Sequence, residues 1–141
     1  MSSLQISLLA EASRPLLNKF YRQHQSPMRA SPEGQLWVLK DGEIIAGMSL
    51  SKVAQGHWLT GLFVAPACRG QGLAAQLVAR ALGEVAGPVW LFCHPDLQRL
   101  YQRMGFALTD QLPQPLAERL ARYRRNKALL AMAIRSLEQA H

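Results

Sequence analysis

The chain has 141 residues, 49% hydrophobic and 18% charged, the proportions of a globular domain and not of a disordered or fibrous chain. One domain over residues 1–141 is expected at this length, burying roughly two-thirds of the surface an unfolded chain would expose; a TIM barrel, a multi-domain enzyme and a disulfide scaffold are excluded. The net charge is +7, and most of it comes from Arg99, Arg103, Arg119, Arg122, Arg124, Arg125 and Lys127, set against Asp110 and Glu118.

Leu4, Ile6 and Leu8 alternate with polar residues, which predicts a strand over 4–9. Ser13 as a cap and Pro15 in the first turn open a helix, with Leu16, Leu17 and Phe20 on its apolar side. Two prolines and a glycine make 25–34 a loop or a short irregular helix. Gln35 to Lys40 reads as a strand, Asp41-Gly42 as a type I′ hairpin turn, and Glu43 to Lys52 as the return strand, with Ile44, Ala46, Met48 and Leu50 on one face. With a strand over His57 to Ala65 these form an antiparallel meander. From Gly72 to Ala86 the apolar spacing becomes helical (Leu73, Leu77, Val78, Ala81, Leu82, Val85) until Gly87-Pro88 stops it. Val89 to Cys93 is a continuous apolar run, as in a strand buried on both faces. Pro95 to Met104 predicts a helix ended by a left-handed Gly105, and Pro115 to Asn126 another, with Leu116 and Leu120 inward. Lys127 to Ser136 fits either a last strand or a continuation of that helix. The fold class is therefore α/β of the α+β kind: a mixed sheet with helices on its faces, and a right-handed parallel β–α–β unit over 57–93.

Two cysteines, Cys68 and Cys93, support no disulfide framework, and Met1 to Gln5 carries no basic residue ahead of the first apolar run. Both points favour a cytoplasmic protein without a signal peptide. No apolar run approaches the roughly 20 residues of a membrane helix, so no membrane partner is expected. Four scattered histidines and two distant cysteines make no metal pattern.

One stretch carries chemistry. Through Leu62-Phe63-Val64-Ala65-Pro66-Ala67-Cys68-Arg69-Gly70-Gln71-Gly72-Leu73-Ala74, a strand ends, a turn with two glycines follows, and a helix begins at once. Glycines permit a tight bend and close approach to backbone amides. The first turn of a helix adds unpaired N–H groups and partial positive charge. Together they make a phosphate cradle, with Arg69 adding a full charge beside it; a plain strand–turn–helix with glycines for geometry is the alternative. No Gly-Lys-Ser/Thr follows, and no Gly-x-Gly-x-x-Gly stands after the first strand, so Walker and Rossmann loops are both excluded.

These residues resemble the pyrophosphate loop of the GNAT superfamily of acyl-CoA-dependent N-acetyltransferases, Arg/Gln-x-x-Gly-x-Gly/Ala, at Arg69, Gly72 and Ala74, with Val64-x-Pro66 as the usual lead-in. A second family motif, Tyr-x-x-x-Gly-Phe, is matched by Tyr101, Gly105 and Phe106 at the family's separation. The clear resemblance covers 57–106, about a third of the chain, and the order of elements agrees over most of the rest. It implies a GNAT-like fold whose sheet splays open between 57–65 and 89–93, with acetyl-CoA as co-substrate. Leu62, Phe63 and Val64 would run beside the pantetheine arm, and Arg69, Gly70, Gln71, Gly72, Leu73 and Ala74 would hold the pyrophosphate.

The implied reaction is attack of a neutral amine on the thioester. A backbone N–H near Val64 would stabilise the oxyanion, and Tyr101 would protonate the departing thiolate; simple aromatic packing is the other reading of Tyr101. The chain departs from many relatives in its base. Where a common arrangement puts Glu or His on the strand before the loop, this chain has Trp58, Thr60 and Leu62. His94, seven residues before Tyr101 where the family often has Asn, is the candidate base, with a reference pKa of about 6.5. Capping the next helix, or bonding the pantetheine, is its alternative role. An α-amine, with a pKa of roughly 7.7–8.0 against about 10.4 for lysine, needs a base less, so an α-amino acceptor is expected. The resemblance implies acceptor contacts from 25–34 and 108–126. The cationic stretch keeps nucleic acid open as a partner: an acetyltransferase of aminoacyl-tRNA or of a ribosome-associated protein is one alternative, a non-catalytic acyl-CoA-binding module another. Relatives often dimerise through their last strands, which leaves a homodimer open.

Overall fold

The computed structural model describes residues 4–136; Met1 to Ser3, part of the N-terminal reading above, lie outside them. The strands are β1 (Gln5–Leu8), β2 (Gln35–Asp41), β3 (Glu43–Val53), β4 (Gly56–Val64), β5 (Val89–Cys93), β6 (Ala107–Leu108) and β7 (Leu130–Ile134). The helices are α1 (Arg14–Gln23), α2 (Leu73–Leu82), α3 (Gln98–Arg103) and α4 (Gln114–Tyr123). Hydrogen bonding orders the strands β1-β2-β3-β4-β5-β7-β6, with antiparallel pairs and one parallel pair, β4 with β5. This is the mixed sheet expected from the sequence. Contacts divide the chain into two compact units, 4–51 with 59–85 and 52–58 with 86–136.

In the first unit, β1 and β3 flank β2 in antiparallel register, Leu8 opposite Trp37 and Leu36 opposite Ser49. α1 lays Leu17, Phe20 and Tyr21 into a core with Ala30, Leu36, Val38 and Ala65. Pro15 stands in its first turn as predicted, but Ser13 makes no side-chain cap: a 3-10 turn over Glu11–Ser13 already leads into the helix. The Asp41-Gly42 turn is also tighter than type I′. Only Gly42 is left-handed, at φ 78°, and Asp41 stays in the strand, paired with Glu43. The β2–β3 register shifts by one residue between Leu39 and Lys40. The segment 25–34 is non-helical and held down: Asn18 Oδ1 accepts from the Ala30 amide at 2.8 Å, and the buried Ser49 hydroxyl accepts from the Ser31 amide at 3.0 Å. α2 buries Leu73, Leu77, Val78, Ala81 and Leu82, as its spacing predicts, but ends at Leu82 before Gly83.

In the second unit, β4 begins parallel to β5, with His57 opposite Val89 and Trp58 opposite Trp90. β7 lies antiparallel to β5 from Val89–Ile134 to Cys93–Leu130. The open choice over 127–136 is thereby resolved as a strand confined to Leu130–Ile134. Ala and Leu favour helix locally, but pairing on both edges of β7 outweighs that propensity. β6, two residues long, was not anticipated. It takes the outer edge, so β7 is an interior strand. Trp90, Leu116 and Ala133 form the core under α4, joined by Val53, Trp58, Phe92 and Leu112. Among the described residues no helix is long and apolar enough to cross a membrane.

Candidate active site

Both glycines of the turn before α2 are left-handed, Gly70 at φ 82° and Gly72 at φ 75°. A Cβ built on either would meet nothing within 4 Å, so the backbone here faces open space. Gly72 is the residue preceding the helix and makes no side-chain cap. Among the described residues, the amides from Gly70 to Ala74 donate to no acceptor. Bare N–H groups at the positive end of a ten-residue helix are the ingredients of an oxyanion cradle. Arg69 is differently placed from the simple expectation of a charge beside the turn. Its Nε donates to Val64 O at 2.9 Å and its guanidinium lies 5.0 Å from the Phe63 ring centre. It therefore braces the end of β4, and it occupies the Val64 carbonyl.

The strand leading into the turn is shaped by two residues the sequence reading passed over. Gly61 sits inside β4 at φ 68°. The Tyr21 hydroxyl donates to Gly61 O at 2.6 Å. Burial pushes the Tyr21 phenol far above its ordinary pKa, so it remains a donor. A glycine inside a predicted strand is the signal that could have found this kink. Phe63, two residues on, packs against Phe20, Tyr21 and His24 at ring-centre distances of 5.8, 6.3 and 6.0 Å. Leu62, Phe63, Val64 and the residues from Arg69 to Ala74 thus come together in the first unit.

Tyr101 and His94 belong to the second unit. Tyr101 is 7% exposed on α3, edge-on to Phe106 at 5.9 Å. Its hydroxyl makes no hydrogen bond among the described residues and is not one of their fully buried unpartnered polar atoms. Burial, and secondarily Cys93, push its pKa up to about 12. His94 follows β5 and is exposed; its Nδ1 accepts from the Asp96 amide at 3.1 Å. It is the cap of the turn Pro95–Leu97 that leads into α3. With Nδ1 accepting, the neutral ring carries its proton on Nε2. Cys93 is buried, which raises its thiol pKa, and lies 3.8 Å from the Met132 sulfur; Cys68 is half-buried. At the start of β4, His57 Nδ1 and Trp58 Nε1 are buried without hydrogen-bond partners. A cavity of about 610 Å³ in this unit is lined by Gln55, Pro88, Trp90, Gln111 and Arg135, and by none of the predicted site residues.

Solved structures with this fold include acetyltransferases. N-acetylglutamate synthase of Neisseria gonorrhoeae, complexed with coenzyme A and L-arginine, matches at TM-score 0.72 and 17% identity over 97% of this chain. This chain spans only 34% of that one. A putative N-acetyltransferase from Lactobacillus plantarum matches at TM-score 0.71 and 15% identity, over 96% of this chain and 99% of its own. The GNAT family N-acetyltransferase YhbS of Escherichia coli, in complex with CoA, matches at TM-score 0.67 and 19% identity, over 96% of this chain and 82% of its own. Among curated proteins no sequence matches. The model of the acetyltransferase (GNAT) family matches residues 4–106, most of the chain and both motifs, and on that ground the chain belongs to the GNAT family of acetyltransferases.

Proposed function

We propose that this protein moves an acetyl group from acetyl-CoA to a primary amine, the whole chain serving as one catalytic domain. The observation that carries the reading is the bare amide turn at Gly70–Gly72 over open space, which suits a pyrophosphate. CoA-bound relatives of the same fold point the same way. Leu62 and Phe63 offer backbone groups to the pantetheine, and Val64 offers its amide, its carbonyl being held by Arg69.

The amine nitrogen attacks the thioester carbonyl, the C–N bond forms, and a backbone N–H near Val64 stabilises the oxyanion. The C–S bond then breaks. The proton lost by nitrogen ends on sulfur, giving amide and free thiol. A phenol at about 12 is a weaker acid than an ordinary CoA-type thiol at about 8.5. Tyr101 therefore stabilises the developing thiolate as a neutral hydrogen-bond donor and keeps its own proton, and the proton from nitrogen reaches sulfur through water. Its unbonded hydroxyl supports this role. His94 serves as the cap of α3's approach, and becomes the base only if its ring leaves that bond. With Trp58 and no carboxylate at the start of β4, an amine of low pKa is favoured as acceptor, such as a polypeptide α-amine that is already partly neutral near pH 7.5. Faster acetylation of lysine ε-amines would overturn that preference.

Tyr101→Phe tests the reaction. We expect kcat to fall by roughly 10²–10³-fold, the loss of one donor to developing charge, with acetyl-CoA affinity unchanged. Full activity would leave Tyr101 a packing residue, and no turnover in the parent protein would leave an acyl-CoA-binding module. One observation favours a second reading, an RNA-borne amine: residues 121–128 are all exposed and hold Arg122, Arg124, Arg125 and Lys127 with no acid among them. RNA binding with a steep salt dependence, a log–log slope of about −0.7 per phosphate contacted, would support it; shallow or absent binding would exclude it.

A further inference from the structure

Arg119 differs from the cations around it. Arg122, Arg124, Arg125 and Lys127 are exposed, whereas Arg119 is half-buried and its guanidinium carbon lies 4.6 Å from the Trp58 ring centre. Trp58 in turn meets Phe92 at 5.6 Å, and Phe92 meets Tyr123 at 6.3 Å, so an aromatic row runs beneath α4. A guanidinium held over an indole face keeps its N–H donors available to a second partner. Among the described residues that guanidinium is in no hydrogen bond or ion pair. The adjacent carboxylate does not serve it: Glu118 accepts from Gln114 at 3.2 Å.

We infer that Arg119, seated on Trp58, is an anion anchor, and that the acceptor amine also bears a carboxylate or a phosphate. This inference rests on the acetyl-transfer reading and names its substrate class. A planar fork of donors held in one orientation matches a carboxylate or phosphate. Arg122 at the end of α4, with Arg124, Arg125 and Lys127 just beyond it, gives the surroundings a positive potential, which concentrates anionic amines and repels polyamines. The same potential disfavours an ammonium over a free amine. An amine bound here loses its proton more readily, which suits a strand start that offers Trp58 in place of a carboxylate base.

The test is CoA thiol release from acetyl-CoA, with each rate referred to the concentration of unprotonated amine because a neighbouring anion raises the amine pKa: α-amino acids are set beside their amides, and phosphoethanolamine beside ethanolamine. The parent protein, Arg119→Gln and Arg119→Lys are compared, with thermal unfolding as a check on folding. We expect the anion-bearing member to be preferred by about 10–100-fold in kcat/KM, the span of a charge-assisted hydrogen bond. Arg119→Gln removes that preference through KM while leaving the amides and ethanolamine within about twofold, and Arg119→Lys restores part of it. The stronger of the two pairs identifies carboxylate or phosphate. Equal use of acid and amide, preference for spermidine, or an equal loss on every acceptor in Arg119→Gln would overturn the inference while acetyl transfer itself stands. Were no amine turned over, the acetyl-transfer reading would fail. Tryptophan fluorescence titrated with the same amino acids and with phosphoethanolamine would then decide the anchor. A saturable change, absent with the amides and ethanolamine and absent in Arg119→Gln, is expected; no saturable change would overturn it.

Discussion

The contact between Tyr21 and Gly61 predicts a specific non-additivity. Gly61 at φ 68° would put an alanine Cβ 2.8 Å from the Tyr21 hydroxyl oxygen and 3.6 Å from the ring carbon that bears it. Gly61→Ala therefore costs about 1–2 kcal/mol for a left-handed L-residue. It also displaces the hydroxyl from its 2.6 Å bond to Gly61 O, a further loss of about 1 kcal/mol. Tyr21→Phe loses the same bond directly, again about 1 kcal/mol, and leaves only the ring carbon at ordinary contact distance. In the double variant the bond is lost once, not twice. Its cost should match that of Gly61→Ala alone, falling short of the sum of the two singles by about 1 kcal/mol. Urea unfolding of the four proteins measures this directly; at this chain length the shortfall corresponds to about 3–4 °C in Tm. Strictly additive costs would show that the Tyr21 hydroxyl and the Gly61 backbone do not share one interaction. Since Gly61 leads directly into Leu62–Val64, each single variant should also raise the KM for acetyl-CoA.

Two further outcomes follow from the second unit. Burial, with help from Lys52 and Arg135, lowers the pKa of His57. The unfolded chain then binds more protons than the folded one just below pH 6.5, so stability is complete above that value and is lost as pH falls toward the folded pKa. Tm measured from pH 7.5 to 5 should drop less steeply in His57→Gln than in the parent; equal slopes would remove His57 from the acid sensitivity. His94→Asn keeps an acceptor for the Asp96 amide and His94→Ala does not. As a cap, Asn should retain kcat within about threefold and Ala should lose more, the worth of a cap being about 1 kcal/mol. If both variants lost the acidic limb of the pH–rate profile alike, His94 would be the base after all.

What the sequence disclosed followed the reach of its signals. β5 was legible because five consecutive apolar residues bury on both faces, and α2 because its apolar spacing has one period. The glycine turn was legible because φ > 0 and a bare amide each demand Gly locally. β6 was not, since two residues carry no period. The state of 127–136 was not, because pairing with β5 and β6, far away in sequence, decided it. The Tyr21–Gly61 bond spans 40 positions, and Arg119 on Trp58 likewise joins distant residues; neither leaves a local pattern beyond a glycine inside a strand. Arg69 was read as a free charge because its bond to Val64 O depends on where the turn directs it.

The central claim is that the turn from Gly70 to Ala74 binds the pyrophosphate of an acyl-CoA. Calorimetric titration with acetyl-CoA, run beside desulfo-CoA and adenosine diphosphate, tests it most directly. We expect binding of both coenzyme forms in the micromolar range, weaker binding of the diphosphate at the same site, and competition among all three. No binding by any of them, or binding of acetyl-CoA that adenosine diphosphate leaves untouched, would contradict it and make the glycine turn a matter of chain geometry alone.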